Sequence, residues 1–107
     1  MTARRFHVAL AVHQLDPTVA DYTARLGEPP VAVVPGRYAL WRTPEINLSV
    51  SVVDPVDAPA GSLSHVGFED PAAVAGPRQT DVNGVLWEAF TTAHQDDEIV
   101  RAYGPPA

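Results

Sequence analysis

The 107-residue chain is predicted to be an α+β domain: a βαβββ module, then a shortened second module built mainly of strands. Three observations predict this. "RRFHVALAVHQL" and "INLSVSVVD" alternate apolar and small or polar residues with period two, as half-buried strands do. A single stretch between them, "LDPTVADYTARLG", has helical spacing. Further along, "SHVGF" repeats the strand-plus-histidine opening "FHVAL", a weak internal repeat.

Each element has its own signal. In the first strand Phe6, Val8, Leu10 and Val12 share one face, and His7, Ala9, Ala11 and His13 the other. A helix over 17–26 follows. Asp16 is placed to cap it, Pro17 suits its first position and Gly27 its stop, while Leu15, Val19, Tyr22 and Leu26 form its apolar stripe. "PPVAVVPG" reads as a strand near a sheet edge because prolines flank it. A Pro35-Gly36 turn leads into the strand "RYALWRTP". In "INLSVSVVD", Ile46, Leu48, Val50 and Val52 oppose a polar face of Asn47, Ser49 and Ser51 that suits a wet pocket.

A Pro/Ala/Gly-rich link at 55–62 leads to the strand "LSHVGFED". There His65 lies on one face with Leu63 and Gly67, opposite Val66 and Phe68. A loose stretch precedes the last strand, "GVLWEAFTT" over 84–92, where Leu86, Glu88 and Phe90 oppose Val85, Trp87 and Ala89. Trp87 is expected on the covered face of the sheet, and Trp41 and Tyr38 in core and rim. The segment 93–107 is a tail or a short helix over about 96–103, with Asp96-Asp97-Glu98 as its negative first turn. His13 and His94 are expected in loops. The domain proper spans 1–92, with module one at 1–54 and module two at 63–92.

Composition narrows the function. The chain carries 13 acidic and 7 basic residues, a formal net charge of −6. Every basic residue is an arginine and they are scattered, so no stripe tracks a phosphate backbone and no nucleic-acid partner is expected. There is no cysteine, which removes disulfides, thiolate ligands and thiol nucleophiles. No run approaches the ~18 apolar residues of a membrane span, and the N-terminus lacks a signal peptide's apolar run. A cytoplasmic protein with no membrane partner is expected.

The segments "FHVALAV", "LD…VADYTARLGEPPV", "INLSV", "SLSHVGF" and "NGVLWEAF" resemble the glyoxalase/bleomycin-resistance/extradiol-dioxygenase (vicinal oxygen chelate) superfamily. The nearest branch is that of the cadmium-induced proteins and organoarsenical lyases. The resemblance runs over roughly 6–70 and resumes at 83–92, and it implies paired βαβββ modules forming a cup. Its metal ligands match His7, His65 and Glu88. Two neutral imidazoles and a carboxylate suit Fe, Zn, Mn or Ni as a divalent ion. Asn47, Ser49, Ser51 and Phe90 are then expected to line the pocket of a small-molecule ligand. The branch's paired cysteines are absent, which argues against its organoarsenical chemistry.

Only 18 residues, Asp70–Trp87, separate the His65 strand from Glu88. That suffices for the crossover of a parallel strand pair but not for a helix and two outer strands. A metal-dependent lyase, isomerase or dioxygenase is the leading expectation. The alternatives are a metal-free, drug-sequestering type of binding protein and a degenerate half-cup without catalysis. The shortened module leaves an open sheet edge, so a homodimer is expected, with Ile99, Val100 and Tyr103 as contact residues.

Overall fold

The computed structural model describes residues 4–74 and 78–107. It has the element order β1 (Arg5–Val12), α1 (Leu15–Leu26), β2 (Ala32–Val34), β3 (Tyr38–Arg42), β4 (Ile46–Val52), β5 (Leu63–Glu69), β6 (Gln79–Thr80), β7 (Leu86–Phe90) and α2 (Thr92–Tyr103). The fold is α+β, with one mixed seven-stranded sheet in the order β2-β3-β4-β1-β5-β7-β6. Residues 5–52 run strand, helix, strand, strand, strand, as their patterns predict.

Two parallel pairs face each other across an antiparallel seam. β1 runs parallel to β4, and β5 runs parallel to β7. The seam is β1 against β5, with a register shift between Ala9 and Leu10. The register lines up one row across five strands: Arg42, Asn47, His7, Gly67 and Glu88. Side chains in such a row share a face, so the sheet itself gathers these polar groups onto one surface.

The opposite face carries the main core. Val12, Ala39, Trp41 and Val50 are buried there beneath Leu15, and Leu10, Val19, Tyr22, Leu26 and Leu48 pack around them. The Tyr22 and Trp41 rings lie 5.8 Å apart. α1 begins two residues before the expected start. Gln14 is its N-cap and makes no side-chain cap bond, because burying Leu15 draws that residue into the first turn. Gly27 ends the helix in the left-handed conformation at φ 77° and donates its N–H to Thr23 O, as its position predicts.

α1 covers only the first half of that face. Among the described residues no helix lies between β5 and β7, and the crossover holds only the two-residue strand β6, which the loose sequence stretch did not suggest. Part of the stretch, 75–77, lies outside the described residues. Phe6, Phe68 and Trp87 therefore form an aromatic cluster with little above it. Phe6 packs edge-on against both partners, at 5.6 and 6.3 Å, and the Arg4 guanidinium sits over Phe68. Trp87, expected beneath a cover, is 36 % exposed. Its indole N–H donates to Asp81 Oδ2 instead.

α2 also starts early. The Thr91 hydroxyl accepts the N–H of His94, capping a helix that begins at Thr92. Asp96, Asp97 and Glu98 fall beyond the first turn, where Asp96 pairs with Arg42 and Glu98 with Arg101. Ion pairs, not the helix dipole, account for Asp96 and Glu98. α2 lies over the polar face of the sheet, where Ile99 and Tyr103 join Val34, Tyr38 and Leu40 in a second core cluster. Ile99 and Tyr103, expected at a dimer contact, thus pack on their own chain, while Val100 stays exposed.

Gly67 holds the second parallel pair together. A Cβ there would lie 2.8 Å from the carbonyl carbon of Glu88 and closer still to its oxygen, so no side chain fits without parting β5 from β7. Gly67→Ala is expected to destabilise the protein by about 1–3 kcal/mol, the usual cost of overpacking. Urea denaturation checks this; an unchanged midpoint would mean that the strands separate at no cost.

Candidate metal centre

The register explains how three remote residues meet. His7 and Glu88 lie in one row with only Gly67 between them, and His65 sits on β5 opposite Ala9. Without a side chain at Gly67 the imidazole and the carboxylate lean together above the β5 backbone. His7 Nε2 lies 3.0 Å from His65 Nε2, His65 Nε2 lies 2.9 Å from Glu88 Oε1, and His7 Nε2 lies 3.5 Å from the same oxygen. Among the described residues, these three form the cluster whose ligand atoms could hold an ion.

The triangle suits a divalent transition metal. Ligand bonds of about 2.0–2.2 Å place neighbouring donors about 3.0 Å apart in octahedral and about 3.4 Å in tetrahedral geometry. The observed edges span that range. Two nitrogens and one oxygen on one side of a site are also the donor set of two-histidine-one-carboxylate centres.

A buried polar network orients the inner histidine. His7 is only 1 % exposed. Its Nδ1 lies 2.8 Å from Asn47 Oδ1 and 3.3 Å from Asn47 O. Both are acceptors, so Nδ1 carries the proton and donates it, leaving Nε2 with a free lone pair aimed at His65 and Glu88. Asn47 is held in turn by Gln95 of α2: its amide donates to Gln95 Oε1 at 2.8 Å, and Gln95 Nε2 donates back to Asn47 Oδ1 at 3.1 Å. Arg42 Nη2 donates to Gln95 Oε1 at 2.8 Å. This backing fixes the tautomer that a metal-ligating histidine needs.

Behind Arg42 lies Glu69, 2 % exposed. It accepts from Arg5 Nη1 at 2.9 Å and from the Thr92 hydroxyl at 2.6 Å. Arg42 Nε is 3.1 Å from its second oxygen, an ion-pair contact without hydrogen-bond alignment. Burial pushes the Glu69 pKa up, but the Thr92 and Arg5 bonds and the Arg42 charge outweigh it and hold the group below the ordinary carboxylate range. The carboxylate therefore stays charged, anchoring the start of α2 to the sheet.

Glu88 behaves similarly. Burial raises its pKa, while the His65 bond and the charges of His65, Arg78 and His7 bring it below the usual value. For His7 the largest influence is burial, which lowers its pKa. The Asn47 bond opposes that, the His65 charge adds to it, and the net shift is downward from 6.5. A neutral, outward-pointing Nε2 is the form that binds metal.

A cavity of about 540 Å³ opens above the three residues, between the sheet and α2. Ser49, Ser51 and Phe90 line it, and the Phe90 ring stands edge-on to His7 at 4.9 Å. Asn47, expected beside them, is not in the lining: it is fully buried behind His7 and acts on the imidazole. His94, expected in a loop, is on α2 and lines the cavity too. His13 stays remote, its Nε2 bonded to Ala58 O. Gln95, Arg42 and Glu69 escaped the sequence reading, because their roles depend on α2 folding back over β3 and β4. The one available signal was the parity that puts Arg42 and Asn47 on the polar face.

No protein-family model matches the chain, and no curated protein matches it.

The low pKa of His7 has a consequence for stability. Unfolded, this imidazole takes a proton as pH falls through about 6.5; folded, it resists. The unfolded state then binds more protons, so stability is full above that pH and declines below it. The metal-free protein is expected to lose stability between pH 7 and 5.5, above the range where Glu69 and Glu88 begin to protonate. His7→Leu should flatten that slope. Urea midpoints across the window check it; equal slopes would show that His7 charges freely in the fold.

Proposed function

We propose that the protein is a small metal-dependent member of the glyoxalase/dioxygenase superfamily, acting on a small molecule through His7, His65 and Glu88. The observation that carries this reading is the triangle of donor atoms with edges of 3.0, 2.9 and 3.5 Å at the foot of the cavity. Its support is the βαβββ run of residues 5–52 and the parallel β1–β4 and β5–β7 pairs, which are compatible with one whole module and a shortened second one. A divalent ion supplies Lewis acidity toward adjacent oxygens of the bound molecule.

The chain's own groups supply the rest. Asn47 holds His7 in the ligating tautomer, and the side of the Phe90 ring keeps water from the imidazole. Ser49 and Ser51 offer hydroxyls to a polar ligand from the sheet side. α2 provides the wall opposite, packed on the polar face of the sheet over β2 and β3.

Metal analysis after reconstitution with Fe, Zn, Mn or Ni tests the reading. One ion per chain is expected for the wild type and none for the His7→Ala/His65→Ala double variant. Equal, near-zero metal in both would rule the reading out.

A second reading concerns assembly. The exposed Phe6–Phe68–Trp87 cluster and the two-residue β6 at the sheet edge favour a homodimer that covers them. Light scattering at micromolar concentration is expected to give twice the 11.4 kDa chain mass. A monomer at that concentration would contradict it.

A further inference from the structure

Arg78 stands at the mouth of the cavity with its Nε 2.9 Å from Glu88 Oε2, the oxygen turned away from the two histidines. About half of the side chain is exposed, and among the described residues Glu88 is its one ion-pair partner. The guanidinium thus lies one carboxylate away from the three donor atoms. Half exposed, it pairs with no element other than β7 among the described residues.

The charge of the cavity depends on what those donors hold. With neutral histidines, the lining contains three carboxylates (Glu88, Asp97 and Glu98) against two guanidiniums (Arg78 and Arg101), a balance of −1. Glu98 and Arg101 are paired with each other on α2, 3.4 Å apart. A dication shared by His7, His65 and Glu88 reverses the balance to +1. It also spends the Glu88 charge that Arg78 otherwise faces, leaving a guanidinium with free N–H groups beside a positive centre. A planar fork of this kind matches a carboxylate.

We propose that Arg78 is the specificity-determining residue of this cavity, and that it selects small organic acids, whose carboxylate it receives once a divalent ion is bound. The proposal rests on the metal reading above and adds to it the substrate class and the residue that chooses it. Before metal binding Arg78 and Glu88 satisfy each other, and the cavity repels anions. Afterwards the N–H groups of the guanidinium that do not face Glu88 meet the acid, while Glu88 stays against the two histidines through Oε1.

Zinc and two probes of equal size test this: glycolate, an anion, and glycolamide, its neutral counterpart. Calorimetry first measures zinc binding to the wild type and to Arg78→Gln, and then the binding of each probe to the zinc-loaded and zinc-free proteins. Both proteins are expected to take up one zinc. The zinc-loaded wild type should bind glycolate more tightly than glycolamide, and Arg78→Gln should weaken glycolate about tenfold, the scale of one charge-assisted hydrogen bond at a partly exposed site, with glycolamide unchanged. Zinc uptake with equal glycolate affinity in both proteins, with no glycolate binding at all, or with equal glycolate binding in the zinc-free wild type would overturn the role of Arg78 and leave the metal centre standing. No zinc uptake by the wild type would overturn both.

Discussion

The hydrogen bond from His7 Nδ1 to Asn47 is the constraint on which the rest of the site depends. A buried imidazole with an unfixed tautomer would place a proton on either nitrogen, and only one choice leaves Nε2 free to ligate. Asn47 decides the matter because it is itself immobile, locked by two reciprocal bonds to Gln95. Gln95 is in turn held by Arg42, and Arg42 by Glu69 and Asp96. The chain of contacts runs from a buried carboxylate at one end of the sheet to the Arg78–Glu88 pair at the mouth of the cavity. Partial satisfaction of such a network is costly, which ties the docking of α2 to the geometry of the histidines.

That coupling gives α2 two tasks. Its apolar side, through Ile99 and Tyr103, fills the space over Val34, Tyr38 and Leu40. Its polar side closes the cavity and reaches His7 through Gln95 and Asn47. Where, among the described residues, the second half of the sheet has no helix on its outer face, the chain spends its last helix on the inner face. The cavity is walled from within the same chain, and the aromatic cluster is left on the other face.

Much of this was legible in the sequence because strands carry a period of two. Alternation in "INLSVSV" places Asn47, Ser49 and Ser51 on one side of their strand, and alternation in "FHVALAV" places His7 with Ala9 and Ala11 on one side of its own. The same parity gives His65 and Glu88. Register is the part that alternation leaves open: nothing local states that Gly67 falls between His7 and Glu88, or that the missing Cβ lets them meet. Helix starts were misplaced for a similar reason. Leu15 and Thr91 act through burial and a cap, while Pro17 and the acidic run drew attention to later positions. The network of Glu69, Arg42 and Gln95 joins residues far apart in the chain, and pairwise contacts of that kind have no local pattern. The exposed face of Trp87 follows from the absence of a covering helix among the described residues, which composition does not reveal.

The most direct test of the account is imidazole nitrogen NMR of the uniformly labelled protein titrated with zinc. His7 is predicted to be the Nδ1-protonated tautomer before any metal is added. One equivalent of zinc should then shift Nε2 of His7 and Nε2 of His65 together, leaving His13 and His94 unmoved. A His7 protonated on Nε2, or zinc that perturbs His13 or His94 in place of this pair, would contradict it.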